Sequence, residues 1–221
     1  MRSFGFPKLA RGRPAESSRR RTRPILADGY TDVAPGKVAT VVTYLEMRAR
    51  PGGTGSSLPP GCSLEPIGAD PARYRALFRA VGEPWLWFSR LVMPETSLAA
   101  LLADPRVHAF ALRQDGRDVG LLELDFRRGE EAELAFFGLI PDRVGSGLGR
   151  ALMREALTRA FAAPIQRLTV HTCTLDHPAA LGFYIRSGFV PVKRAVEIAD
   201  DPRLLGQLPL EAAPHHPVMR P

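Results

Sequence analysis

Cysteine is scarce in this 221-residue sequence: Cys62 and Cys173 lie far apart, and no Cys or His group stands at metal-ligand spacing. That excludes a disulfide framework and gives no reason to expect a metal; reduced thiols in a cytoplasmic setting are the simplest reading. The pair His215-His216 has no further ligands beside it, so no metal site is assigned there. Long hydrophobic runs are also missing, since no stretch approaches the roughly 18 residues needed to span a bilayer. Arg11, Arg13 and Arg19 to Arg21 interrupt the first 30 residues, so no secretory apolar region is expected and no membrane partner either. No internal repeat is visible. Tryptophan occurs only twice, at Trp85 and Trp87, close together.

What is present is 45% apolar residues, enough for a real core, and a net charge of +7 distributed unevenly. Residues 1–36 hold eight basic side chains against three acidic ones, with prolines and no apolar periodicity. This segment is expected as a disordered basic N-terminal tail, the only part through which nucleic acid would be engaged. Of the 21 prolines, only Pro84, Pro94, Pro105, Pro141, Pro164, Pro178 and Pro191 fall in the interior, each where the hydrophobic pattern changes. A folded domain over 37–198 and a Pro-rich C-terminal tail over 199–221 follow from that distribution.

Residues 38–47 are β-branched and apolar and predict a strand; 50–63 are rich in Gly, Pro and Ser and predict a loop. Asp70-Pro71 opens a helix with Tyr74, Leu77, Phe78 and Val81 on one face, closed by Gly82. A second short helix holds Leu98, Leu101 and Leu102. Strands over 107–112 and 119–126 flank Asp115-Gly116, a tight hairpin signal, and a third strand over 132–140 follows the reversal at Gly129. Apolar positions 148, 151, 152, 156 and 160 specify an amphipathic helix. A strand over 168–172, a helix over 178–187 and a strand over 189–198 complete the order. A meander followed by a crossover implies an α/β fold whose sheet is mixed and flanked by helices.

Between the third meander strand and the long helix lies Pro141-Asp142-Arg143-Val144-Gly145-Ser146-Gly147-Leu148-Gly149. Glycines at 145, 147 and 149 let the backbone turn freely, and a helix N-terminus adds unpaired N–H donors, so the place suits a phosphate or pyrophosphate. No Gly-Lys-Ser or Gly-Lys-Thr follows, which excludes a P-loop, and the preceding antiparallel meander argues against a dinucleotide fold.

Three segments together resemble the GCN5-related N-acetyltransferase superfamily: Glu133 to Pro141, Gly145 to Leu152, and His177 to Tyr184 leading into Ser187-Gly188-Phe189. Val144 stands where the family usually has Gln or Arg, and His177 where it often has Asn. The resemblance implies a mostly antiparallel sheet with a V-shaped opening between strands 132–140 and 168–172. Acetyl-CoA would lie in it as co-substrate, along Phe137, Leu139 and Ile140, with its pyrophosphate at Val144, Gly145, Ser146, Gly147, Leu148, Gly149 and Arg150, and with His177 bordering it. It also implies that Tyr184 is the general acid and Glu133 the base, for which a raised pKa would help.

Trp85, Trp87 and Arg90 form an aromatic stretch with one cation, read either as an acceptor wall or as loop packing. Glu123 shares a strand face with Asp125 and either attracts a cationic amine or lies on a solvated face. His171 and Cys173 read as a packed strand histidine and a buried thiol. The function expected is N-acetyl transfer from acetyl-CoA to a primary amine on a small molecule or peptide, by direct attack in a ternary complex without metal. The rival is a non-catalytic acyl-CoA-binding domain whose basic tail docks on nucleic acid or a protein partner. Acceptor identity, acyl chain length and oligomeric state, a homodimer included, stay open.

Overall fold

The computed structural model describes residues 25–52 and 58–221. Its strands are β1 (Lys37–Met47), β2 (Cys62–Pro66), β3 (Val107–Gln114), β4 (Arg117–Asp125), β5 (Glu131–Leu139), β6 (Arg167–Cys173) and β7 (Val190–Asp200). The helices are α1 (Pro71–Gly82), α2 (Glu95–Ala103), α3 (Leu148–Ala160) and α4 (Ala180–Arg186), with 3-10 turns at Glu83–Trp85 and Pro141–Arg143. One seven-stranded sheet runs in the order β2-β3-β4-β5-β6-β1-β7. Every neighbouring pair is antiparallel except β5 and β6, which α3 connects. This is the mixed, mostly antiparallel sheet with flanking helices expected above. Among the described residues no helix is long and apolar enough to cross a membrane.

Local chemistry accounts for most of these elements. The Asp70 side chain accepts the Arg73 N–H at 2.9 Å and Pro71 occupies the first turn, so α1 starts there and buries Tyr74, Leu77, Phe78 and Val81. The β3–β4 hairpin closes on Asp115 and Gly116, with φ of 51° and 81°, the backbone of a tight primed turn. Along α3, Leu148, Ala151, Leu152, Ala156 and Ala160 face the core.

Three features depart from the sequence reading. β2 emerges at the end of the expected loop over 50–63, of which 53–57 lie outside the described residues. Its five residues are few and include Pro66; as an edge strand it pairs only with β3, where proline is tolerated. β1 inserts between β6 and β7, with Val42 opposite Cys173 and Val41 opposite Val196, a pairing no local pattern announces. Third, the residues after 198, expected as a tail, are packed. Leu208, Ala212 and Ala213 form a second apolar cluster with Val38, Leu86, Phe88 and Leu175. The expected N-terminal tail falls mainly on residues 1–24, outside those described; residues 25–35 are exposed.

A buried ion pair organises the C-terminal segment. Arg203 lies across Asp201 in a two-pronged contact, Nε to Oδ1 at 2.9 Å and Nη2 to Oδ2 at 2.7 Å. Its Nη1 donates to the carbonyls of Ala212 at 3.0 Å and His216 at 2.8 Å, so one guanidinium closes the whole loop. The Asp201 N–H donates to the Gly36 carbonyl, and the Gly36 N–H to that of Met219, which ties both ends of the C-terminal segment to the start of β1. Burial favours the neutral form of Asp201, but Arg203 outweighs it and holds the carboxyl below its usual range. Arg203→Met should therefore leave a buried carboxylate uncompensated and cost about 3–5 kcal/mol in urea denaturation, with Asp201→Asn added in the double variant recovering part of the loss.

Candidate active site

The parallel ladder between β5 and β6 is short: Glu131, Ala132 and Glu133 pair with Arg167, Leu168 and Thr169, and there it ends. On its other edge β5 continues along β4, but the register shifts between Glu123 and Leu124, so Ala135 is an extra residue with no opposite number. Such a bulge bends the strand. Beyond it β5 and β6 part, opening a cavity of about 630 Å³ between them. β5 forms one wall, β6 and the loop Leu175–His177 another, and α4 supplies Phe183 and Tyr184.

At one mouth of the cavity lie Val144, Gly145, Gly147, Gly149 and Arg150. Gly147, at φ 86°, caps α3 with no side chain, a conformation that favours glycine. The N–H groups of Gly145, Gly147 and Gly149 have no acceptor among the described residues. Uncapped donors at the start of a 13-residue helix present a positive field to whatever occupies the mouth. Arg150 and Arg186 are exposed beside it, and neither has an ion pair among the described residues. Arg143 turns elsewhere, with Nε donating to Gln114 Oε1 at 2.9 Å. Ser146 is off the wall, its hydroxyl donating to the Arg143 carbonyl at 2.7 Å. Ile140 and Leu148 are buried in the core, so of the residues expected along the cofactor path only Phe137, Leu139 and those of the mouth line the cavity with His177.

Farther in, Glu133 is 8% exposed and accepts from Arg128 at 3.0 Å, while His171 Nδ1 stands 3.3 Å from its Oε1. Burial would raise the Glu133 pKa, but the hydrogen bond and charge of His171, with Arg128, bring it below the usual carboxylate range. The raised value that would have suited a base is thus replaced by a lowered one. His171 moves the opposite way: burial alone would depress it, and Glu133, Asp176 and Glu197 together lift it above 6.5. Tyr184 is 7% exposed, and burial with the nearby charge of Asp176 pushes its phenol well above the usual range. It stays protonated at any physiological pH. Burial also pushes the Cys173 thiol up, away from a thiolate.

The turn and loop after α1 contribute Trp85, Trp87 and Arg90. Trp87 donates Nε1–H to Asp176 Oδ1 at 3.0 Å and packs on Phe136 with ring centroids 5.3 Å apart. Gly82 makes room for it, since a Cβ there would meet the Trp87 side chain at 2.5 Å. Trp85 faces His177 at 5.1 Å and His215 at 5.6 Å. Glu123 is the clear correction: it is fully buried, accepts from the Tyr74 hydroxyl and from Arg90 Nη2 at 2.6 Å, and does not reach the cavity. Both alternatives considered for it from sequence, an amine attractor and a solvated face, fail for that reason.

His171, Asp176 and Arg186 were not singled out as site residues by the sequence. Only the β5–β6 register, with Glu133 opposite Thr169, brings Glu133 and His171 together, and periodicity within one strand cannot supply a register.

A family model described as the Acetyltransferase (GNAT) family matches residues 74–189. Among solved structures, a GCN5-related N-acetyltransferase from Sphaerobacter thermophilus is 15% identical, with a TM-score of 0.57, 73% of this chain and 52% of that one being covered. A putative GNAT-family acetyltransferase from Novosphingobium aromaticivorans is 20% identical, with a TM-score of 0.51 and coverages of 75% and 68%. An aminoglycoside acetyltransferase from an uncultured soil metagenomic sample is 15% identical, with a TM-score of 0.50 and coverages of 60% and 90%. This chain therefore spans about half the length of the Sphaerobacter structure. No curated protein matches.

The Glu133–His171 contact has a definite pH signature. Because the folded pKa of His171 is raised, its stabilising contribution is complete below 6.5 and is lost as the pH rises through the raised value. Because that of Glu133 is lowered, its contribution is present above the ordinary glutamate value and is lost as the pH falls through the lowered one. An NMR titration of the His171 ring should give a midpoint above 6.5, and Glu133→Gln should lower that midpoint by about one pH unit.

Proposed function

The chain belongs to the acetyltransferase (GNAT) family, and on that premise we propose that it moves the acetyl group of acetyl-CoA to a primary amine by direct attack in a ternary complex. The observation that carries this reading is the convergence of the freed edge of β5 on the uncapped N-terminus of α3, with Arg150 and Arg186 beside it. A long ligand with amide groups in its arm and phosphates at one end matches that sequence of donors. The β5 edge from Leu134 to Leu139 would hold the arm. The N–H groups of Gly145, Gly147 and Gly149, with the two arginines, would take the pyrophosphate.

When bound, acetyl-CoA supplies an electrophilic thioester carbonyl and a thiolate that needs a proton on leaving. Tyr184 keeps a proton at Oη throughout the neutral range and is the proposed acid. The incoming amine must first lose its ammonium proton. Glu133 alone is a weak base at its lowered pKa, but it holds His171 through Nδ1 and leaves Nε2 for that proton. We assign the base role to the pair, with Glu133 orienting and His171 accepting. The rival, an acyl-CoA-binding domain without turnover, shares the binding half of this reading and lacks the chemical half.

Thermal unfolding tests the binding half. Acetyl-CoA at a hundredfold excess over its Kd should stabilise the protein by about 2.7 kcal/mol. Arg150→Ala with Arg186→Ala should weaken binding about tenfold to a hundredfold while leaving the free protein's Tm unchanged, because both side chains are exposed.

Tyr184→Phe tests the chemical half. It keeps the ring contacts with Phe137, Phe183 and Phe189 and removes one hydroxyl. Turnover, followed as thiol release, should fall by about 10² to 10⁴ with little change in acetyl-CoA affinity. Full turnover in that variant, with chemistry rate-limiting, would remove Tyr184 from the mechanism. Binding without thiol release from any amine would favour the rival.

A further inference from the structure

The acceptor end of the cavity differs from what a polycationic amine requires, and this bears on substrate class. We infer that the acceptor is a primary amine carried on an aromatic or flat apolar body with no second cationic group, an inference that rests on the transferase reading above.

The first argument is rigidity. Trp87 is fixed by its hydrogen bond to Asp176, by Phe136 and by the close approach of Gly82, so its indole is a preformed wall. Trp85 stands between His177 of the β6–α4 loop and His215 of the packed C-terminal segment. Val42 and Leu175 complete an apolar surface there. A planar apolar body gains from such faces by burial and by ring stacking, and a hydrated polyol does not; an ammonium group gains only a cation–π contact in place of its water.

The second argument is charge. A second ammonium group would need a carboxylate free to replace its water, since burying an unpaired cation is costly. Four carboxylates line the cavity, and each is engaged. Asp125 accepts from Arg127 at 2.6 Å. Glu133 has Arg128 and His171. Asp176 accepts from Trp87, from the Thr172 hydroxyl at 2.7 Å and from the Cys173 N–H at 2.9 Å. Glu197 is not free either, and its charge acts on His171. The fifth acid of the region, Glu123, is sealed beneath Tyr74 and Arg90. One positive charge can be accommodated, that of the reacting amine, because it is removed as a proton beside His171.

The test compares 2-phenylethylamine with spermidine and with an aminoglycoside such as kanamycin, in the full chain with acetyl-CoA. Thiol release should show kcat/KM at least about tenfold higher for 2-phenylethylamine. Trp85→Ala should raise KM for that amine about tenfold with a smaller change in kcat, and Trp85→Phe should restore it. Equal or greater kcat/KM for spermidine or kanamycin would overturn the substrate class while leaving the transferase reading intact. Absence of thiol release with every amine would instead overturn the transferase reading. Binding then still decides the class: both tryptophans of the chain line the cavity, so in the presence of CoA their fluorescence should respond saturably to 2-phenylethylamine and not to spermidine. No response to 2-phenylethylamine, or an equal one to spermidine, would sink the inference.

Discussion

One buried carboxylate holds the site together. Glu123 sits on β4 directly across from Phe136, at the point where the β4–β5 register shifts, and its two oxygens are taken by Tyr74 from α1 and Arg90 from the loop that follows. A single charge thus ties a helix and a loop to β4 beside the bulge of its neighbour, and the loop it anchors is the one that carries Trp85 and Trp87. Removing either partner would leave a charge in an apolar interior, the situation that makes buried networks costly to break. Arg90 lies over the Phe136 ring at 4.9 Å, so the same guanidinium also presses on the strand that must diverge.

From the bulge onward the consequences are geometric. With Ala135 unmatched, β5 leaves β6 after Glu133, and the gap is filled from below by α4 rather than by strand pairing. Phe183 stacks on Phe137 at 5.7 Å, and Tyr184 meets Phe137 and Phe189 edge-on at 6.3 and 5.9 Å. These rings pack α4 against β5 where it has left β6. The rim depends on parts of the chain remote in sequence: the loop closed by Arg203 brings His215 against Trp85, and Leu208 with Ala212 packs under Leu86 and Phe88. A segment that proline content marked as a tail is in fact a support for the loop of Trp85 and Trp87.

What the sequence disclosed and what it concealed divide along the range of the interactions. Asp70-Pro71, Asp115-Gly116 and the glycines before α3 act through neighbouring backbone, so the start of α1, the hairpin and the uncapped helix were legible. The position of β1 between β6 and β7 was not, because Val41 to Val196 is a pairing set by the completed sheet. The same holds for the site. Trp85 and Trp87 stood out by rarity, but the burial of Glu123 depends on Tyr74 and Arg90 arriving from elsewhere. The contact of His171 with Glu133 likewise depends on where a parallel ladder three pairs long begins and ends. Proline frequency misled over 199–221 because it reports backbone stiffness, whereas Arg203 achieves order there through a side chain.

The distribution of charge along the cavity is itself a functional constraint. At the glycine turn positive groups are left without partners among the described residues: three backbone N–H donors, the terminus of α3, Arg150 and Arg186. Deeper in, acids are engaged within the protein, Asp125 by Arg127, Glu133 by His171 and Arg128, and Asp176 by the neutral donors of Trp87, Thr172 and Cys173. A surface whose acids are already engaged leaves little to replace the water of an incoming cation and discriminates by shape and burial, while one that leaves donors unpaired recruits anions. On the proposed reading the two ends of this cavity would select by different physics, phosphate by field and acceptor by fit. Between them stand a phenol held protonated and an imidazole held basic by a neighbouring carboxylate. Burial drives the phenol up, and Glu133 lifts the histidine against the same burial. Burial thus keeps the proposed acid protonated, while a neighbouring carboxylate keeps the proposed base basic.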